Sequence, residues 1–311
     1  MDIIHLKYVA EIAKTGSMTK AADNLYMYQA NLSKAIKELE SELGIIIFKR
    51  SSKGATLTKD GSELLLRAKD IISRFDQMEM LYKKDGNIKK SFSISVPRAS
   101  YISFAFTKFI SDIAETKNLE MDFCETNSMQ AINNIVERKN NLGVIRYSLG
   151  YEKYYSKLLR DLDIKSDILL DFNYLAVMSV SNPLASSETI FANELSNMIE
   201  IVHGDSSIPA LSCGHIHRSN MDFSISKCIM VYERGSQFDL LVNVPTSYML
   251  VSPIPNEMIK QYNLVQKHVH NIKEQYRDVL IYHKEYRFSD TDRLFINKLH
   301  QTRDEVAQIL G

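Results

Sequence analysis

Leu32, Ile36, Leu39 and Leu43 recur at steps of four, three and four inside YQANLSKAIKELESELGIIIFKR, which fills residues 28 to 50. At 100° per residue these four side chains fall within about 60° of arc, and Ala30, Lys34, Lys37 and Ser41 lie opposite. The segment therefore reads as a helix with an apolar back and a small, basic front, closed by Gly44 as its C-terminal cap. Its back needs partners, and the preceding residues supply two helices. Leu6, Val9, Ala10 and Ala13 share one face, Gly16-Ser17 stops that helix and caps the next, and Ala21, Ala22 and Leu25 form a second stripe whose alanines admit a close neighbour. After Gly44, IIIFKRSSKGATLT reads as two short strands around Ser52-Lys53-Gly54, a hairpin carrying Lys49, Arg50 and Lys53. Helices packed so, with a basic hairpin beside them, predict an all-α winged helix-turn-helix over residues 1–60 whose third helix enters a DNA major groove.

Charge supports a local patch rather than a global one. The whole chain balances 38 basic against 38 acidic residues, so bulk electrostatics selects no partner. Residues 1–60 hold nine basic and seven acidic side chains, and six of the nine bases lie between positions 34 and 59.

The next segment is a linker helix, expected from Lys59 to Lys84 and assigned with its end to residues 61–88. On it Leu64, Ala68, Ile71, Phe75, Met78 and Tyr82 recur at four, three, four, three and four, a 3.5-residue period. A lone helix cannot bury such a seam, so a two-helix dimer interface is expected, with packing onto its own effector domain as the alternative.

From Lys90 the period changes. SFSISV, LEMDFCE and NLGVIRY read as strands separated by helices at 101–116 and 128–138, a β-α-β-α-β order that implies a parallel sheet. YLAVMSV, IEIVHG, KCIMVYE, YMLVS and LVQKHV form a second strand series, EQYRDVLIYHK returns the chain to the first lobe, and a helix from Ser289 to about Leu310 completes it. A chain of 311 residues, 45% of them apolar, exceeds one core. The expected α/β body spans 89–311, with lobe I at about 89–162 and 270–311, lobe II at about 163–269, mainly parallel sheets, and a ligand cleft at the C-terminal strand edges.

With these patterns in place, residues 6 to 65 resemble the DNA-binding domain of the LysR-type transcriptional regulators. GSMTKAADNLYMYQANLSKAIKELESELGIIIFKR and LTKDG match the family's Gly-Ser, Ala-Ala-x-x-Leu, Gln-x-x-Leu-Ser, Ile-x-x-Leu-Glu, Leu-Gly, Phe-x-Arg and Leu-Thr-x-x-Gly elements in order and spacing. The family usually has Ser and Pro where this chain has Tyr28 and Ala30, departures that bear on local geometry and base preference, although the Tyr28 hydroxyl can still donate to a phosphate. The resemblance implies that Gln29, Asn31, Ser33 and Lys34 face DNA and that Ser17, Thr19, Arg50 and Thr58 hold phosphates; Lys37 and Lys53 join them from the helix front and the wing. Ser17 and Thr58 serve equally well as helix caps. NYLAVMSVSNPLASS and GSQFDLLVNVPTSYMLVSPIPNEM carry the rhythm of the family's two-lobed, periplasmic-binding-protein-like effector domain, a less specific likeness. A homodimer or homotetramer, a small-molecule effector, double-stranded DNA and RNA polymerase are the implied partners; no cofactor, catalysis or membrane is implied.

Candidate effector groups sit where strands hand over to helices, at which free N–H groups favour an anion. These are Ser100 and Tyr101 after the first strand, Thr126, Asn127 and Ser128 after the second, and Ser206 and Ser207 in the second lobe. Arg146 offers a bidentate fork to a carboxylate or, equally, a salt bridge to a neighbouring acid. The serines and Asn127 serve equally as helix caps.

Three cysteines, Cys124, Cys213 and Cys228, fit no disulfide framework, the N-terminus lacks a signal-peptide pattern, and no apolar run approaches the roughly 20 residues of a membrane span, which together predict a cytoplasmic protein. CGHIHR, with Cys213, His215 and His217, and the pair His268 and His270 have metal-compatible alternation, but a strand or loop role is expected and no metal site is assigned. Two rival readings are a solute-binding protein, which binds ligand without DNA, and a metal-dependent hydrolase, which chelators would silence. Neither accounts for the 28–50 helix or the seam.

Overall fold

The computed structural model describes residues 1–51, 54–82, 90–204, 227–272 and 274–310, and the chain divides into two compact units, Met1–Ile88 and Lys89–Gly311. In the first, α1 (Ile3–Thr15), α2 (Met18–Asn24) and α3 (Gln29–Leu43) pack through Val9, Ile12, Ala21, Ala22, Leu32, Ile36 and Leu39, each at most 1% exposed. The four-three-four spacing thus predicts the buried face of α3. β1 (Phe48–Ser51) and β2 (Gly54–Leu57) form the expected antiparallel wing, and α4 (Lys59–Tyr82) follows. Gly54 has φ +124°, and a Cβ there would lie 2.4 Å from the Gly16 carbonyl oxygen, which accepts the Ala55 N–H; only glycine lets the wing close on the α1–α2 turn.

The second unit holds two sheets. In the first, β3 (Lys90–Val96) is flanked in parallel by β4 (Leu119–Glu125) and β5 (Leu142–Ser148); β5 then pairs antiparallel with β13 (Gln275–His283), and β13 with the edge strand β6 (Ile164–Asn173). α5 (Ser100–Ile113) and α10 (Asp290–Ala307) cover this sheet, with Phe92, Phe109 and Phe295 interlocked and Phe92 and Phe295 centred 4.8 Å apart. α6 (Ser128–Val136) and α7 (Glu152–Asp161) pack in a separate cluster around Ile132, Ile145, Tyr155 and Leu159.

The second sheet comprises β7 (Leu175–Ser179), β8 (Ile190–Phe191), β9 (Ile199–His203), β10 (Lys227–Val231), β11 (Ser247–Val251) and β12 (Leu264–His270), ordered β10-β9-β11-β7-β12-β8. Its β9 is parallel to both β10 and β11, whereas β7 is antiparallel to β11 and β12. α8 (Arg234–Asn243) and α9 (Asn256–Gln261) carry the chain between its strands. The chain crosses between sheets twice, and the crossings touch: Asn173 donates to the Glu274 carbonyl at 3.1 Å, and the rings of Tyr174 and Tyr276 lie 4.2 Å apart.

One boundary moves. The sequence pattern puts residues 164–173 in lobe II, but β6 pairs along its whole length with β13, so the first crossing lies at Asn173–Tyr174. The strand signal is weak because β6 is an edge: Lys165, Ser166, Asp167 and Ile168 are exposed in succession, erasing the alternation, and its charges guard an open edge.

Candidate functional site

On the first unit, the α3 front assembles as expected. Gln29, Asn31, Lys34 and Lys37 are exposed on one helix, Thr19 is exposed on α2, and Ser33 is half-buried. Tyr28 stands at the N-cap position of α3, 82% exposed, and makes no capping hydrogen bond through its side chain. Lys34 lies 3.8 Å from Glu38, an exposed i,i+4 pair worth little in water. Ser17 and Thr58 take the capping role. The Ser17 hydroxyl accepts the Lys20 N–H at 3.4 Å, while the Thr58 hydroxyl accepts the Gly61 N–H at 2.9 Å and donates to the Ile46 carbonyl at 2.5 Å. The Arg50 side chain and Lys53 lie outside the described residues.

Two residues of this unit escaped the sequence reading. Glu40 accepts the N–H groups of Ile47 and Phe48, at 2.7 and 3.2 Å, and so ties α3 to the wing. Tyr26 is 98% exposed in the helix-turn-helix turn with φ +52°, a conformation costly for a tyrosine. Neither role has a local pattern: the first depends on a turn folding back, the second on a turn geometry glycine would normally serve.

The seam on α4 divides. Ala68 is fully buried, a correction to its assignment as a dimer residue, and the half-buried Leu64 packs in part on the α1–α3 core, so the first half of the helix turns its stripe toward its own chain. Further along, Lys7 reaches Asp76 at 3.1 Å and lies 5.6 Å from the Phe75 ring centre, whereas Ile71 and Met78 remain 43% and 50% exposed. The Tyr82 side chain lies outside the described residues.

In the second unit, most expected ligand groups turn inward. Arg146 donates through Nε and Nη2 to both oxygens of Asp278, at 2.7 Å each, Asp278 is fully buried, and the Tyr101 hydroxyl donates to the same carboxylate at 2.7 Å. The Arg146 guanidinium also sits 4.7 Å over the Phe172 ring. Burial opposes the Arg146 charge, but the Asp278 charge and hydrogen bonds outweigh it and hold the guanidinium above its ordinary range; burial, then the same carboxylate, pushes the Tyr101 phenol well up. Arg146 and Tyr101 are thus a structural triad with Asp278, not a free fork. Ser128 Oγ donates to the Arg146 carbonyl and accepts its N–H, and Asn127 caps α6 by accepting the Gln130 N–H at 2.9 Å. Ser206, Ser207, Cys213, His215 and His217 lie outside the described residues. His268 contacts the Ile309 carbonyl at 3.2 Å, and the His270 ring packs 5.6 Å from Phe191. Among the described residues, no three His, Cys, Asp or Glu side chains group as a metal site.

Ser100 does face the other sheet. Its hydroxyl accepts from Arg234 Nη2 at 2.9 Å, and Arg234 Nη1 pairs with Glu125. In the opposite direction, Arg98 donates to the Tyr232 carbonyl at 2.9 Å. These residues lie at the C-terminal ends of β3, β4 and β10 and the starts of α5 and α8, so the edges where open α/β sheets bind ligands face one another here. Arg234 and Glu125 had no visible relation in the chain, being 109 positions apart.

A model of the bacterial regulatory helix-turn-helix protein, lysR family, matches residues 3–62. The uncharacterized HTH-type transcriptional regulator YcgK of Bacillus subtilis is 43% identical over 98 residues, 31% of this chain and 30% of that protein. The first curated relatives are matched over 27% to 31% of their own lengths. Over nearly the whole chain the fold is that of a full-length OxyR variant from Pseudomonas aeruginosa, with TM-score 0.62, 12% identity and coverage of 99% of this chain and 96% of that one. Full-length LysG from Corynebacterium glutamicum with bound effector Arg is similar at TM-score 0.58 and 13% identity, covering 98% and 99%. No described helix is long and apolar enough to cross a membrane.

Proposed function

We propose, from the match of residues 3–62 to the lysR-family helix-turn-helix model, that the chain is a LysR-type regulator that binds double-stranded DNA as a dimer and controls transcription in response to a small effector. One observation carries the DNA reading. Leu32, Ile36 and Leu39 are wholly buried on the back of α3 while Gln29, Asn31, Lys34 and Lys37 are exposed on its other faces, the division of labour a groove-reading helix needs. In this reading Gln29 and Asn31 address base edges. Thr19, Tyr28, Lys34, Lys37, Arg50 and Lys53 approach phosphates, which supply most of the affinity. Ile71, Phe75 and Met78 form the dimer seam, so that two winged helices meet two half-sites and the second contact becomes intramolecular. RNA polymerase is the downstream partner, and pairing of dimers into tetramers belongs to the same reading.

In the same reading the effector is anionic and binds between the two sheets at Ser100, beside Arg234. The LysG structure, described as holding the effector Arg, makes an amino acid one class to try. A ligand shifts the regulator only if it binds two arrangements of the sheets unequally. The test of the DNA reading is fluorescence anisotropy on source-genome fragments over a salt series. Arg50→Ala should weaken binding to every sequence and flatten the salt dependence, whereas Gln29→Ala should relax sequence choice. Identical behaviour of the two variants would defeat the assignment of roles.

A further inference from the structure

Arg234 is the first residue of α8, on the second sheet, yet its guanidinium is spent on the first: Nη1 on the Glu125 carboxylate and Nη2 on the Ser100 hydroxyl at 2.9 Å. Arg234 and Glu125 side chains are 17% and 19% exposed, and Ser100 is 6% exposed, so the group is shielded without being sealed. Ser100 opens α5, whose first-turn N–H groups add their own preference for negative charge. A planar fork and a hydroxyl beside a helix start are groups that suit a carboxylate. The carboxylate that pairs with the fork belongs to the chain.

Resting on the effector reading above, we propose that Glu125 is a tethered competitor: its carboxylate occupies the Arg234 fork beside Ser100 in the resting protein, and a small carboxylate effector takes its place. The exchange is charge-neutral for Arg234, since one carboxylate replaces another. It is not neutral for the fold. Glu125 ends β4 and Arg234 begins α8, so displacing Glu125 transfers one of the ties between the sheets from the chain to the ligand. The tether holds Glu125 at a high local concentration, and the ligand's apparent affinity is reduced by the fraction of time the fork is vacated. The device therefore sets a threshold concentration below which the regulator ignores its effector.

Acetate is the probe, titrated into the full-length chain by calorimetry with chloride held to equal ionic strength. Glu125→Ala should bind acetate at least ten-fold more tightly than the unaltered protein, acetamide should not bind, and Arg234→Ala combined with Glu125→Ala should abolish the gain. Equal acetate binding by Glu125→Ala and the unaltered protein, or a gain that survives loss of Arg234, overturns the proposal. If circular dichroism shows Glu125→Ala unfolded, Glu125→Gln replaces it, with a smaller gain expected and no gain overturning the idea. Anisotropy on genomic fragments, read on the same samples, separates the two claims. DNA binding without an acetate gain overturns the competitor alone, whereas an acetate gain without DNA binding supports the competitor and removes the regulator reading.

Discussion

Asp278→Asn should be among the most damaging single changes in the second unit. Asp278 is 0% exposed and receives three short hydrogen bonds, two from Arg146 and one from Tyr101, each 2.7 Å. Without the carboxylate, the Arg146 guanidinium stays buried with no counter-charge, a loss of about 3–5 kcal/mol, and the Tyr101 phenol loses a charged acceptor, which adds about 1–3 kcal/mol. These terms share one carboxylate and do not add fully, so about 4 kcal/mol is the working figure. For a unit of this size that lowers the melting midpoint by about 8–16 °C. Thermal unfolding followed by far-ultraviolet circular dichroism measures it. The same reasoning makes a second demand: because the penalty comes from an unmatched charge rather than lost packing, the triple variant Tyr101→Phe, Arg146→Met, Asp278→Leu should recover most of the loss. A midpoint shift under about 2 °C for Asp278→Asn, or a triple variant as unstable as the single one, would refute the reasoning.

Gly61→Ala should destabilise the first unit by roughly 1–3 kcal/mol, because the new Cβ would lie 2.2 Å from the Ile47 carbonyl oxygen and the backbone must shift; urea unfolding of that unit reads the effect. Glutamate at both Ile71 and Met78 should leave the fold intact and raise the dimer dissociation constant more than ten-fold by analytical ultracentrifugation, since both side chains are already exposed in the single chain. Asp292 is buried, its Oδ2 accepts from Tyr286, the Ser289 N–H and the Ser289 hydroxyl, and its Oδ1 has no hydrogen-bond partner among the described residues; burial pushes its carboxyl up despite those bonds. A raised carboxyl pKa means the folded state holds the proton longer. Stability from this group is therefore present below the unfolded value of about 4 and is lost as pH climbs through the raised native value. Asp292→Asn should flatten that limb of the stability–pH curve, and an unchanged curve would count against it.

Periodicity made the helical elements legible, because an amphipathic stripe is a local statement about which residues avoid water. The buried backs of α1, α2 and α3 follow from it, as does α4 from Lys59 onward. Strand order in the second unit was legible where apolar runs are dense, and illegible at β6, where an edge strand carries charge against solvent and lacks the signal of a buried one. The seam on α4 shows the limit most clearly: spacing marks Leu64, Ala68, Ile71 and Met78 as equivalent, and only tertiary packing separates buried Ala68 from exposed Ile71 and Met78.

Partners of polar groups were decided by tertiary structure alone. Residue type announced that Arg146 would seek a carboxylate, but not that it would find Asp278, 132 positions away, before any ligand could. Ser100 read as a strand-to-helix hydroxyl, and nothing local tied it to Arg234, 134 positions on. Burying an apolar face is a requirement each segment states for itself, whereas a charge is satisfied by whichever opposite group the fold brings within about 3 Å, and that distance exists only after the chain has closed.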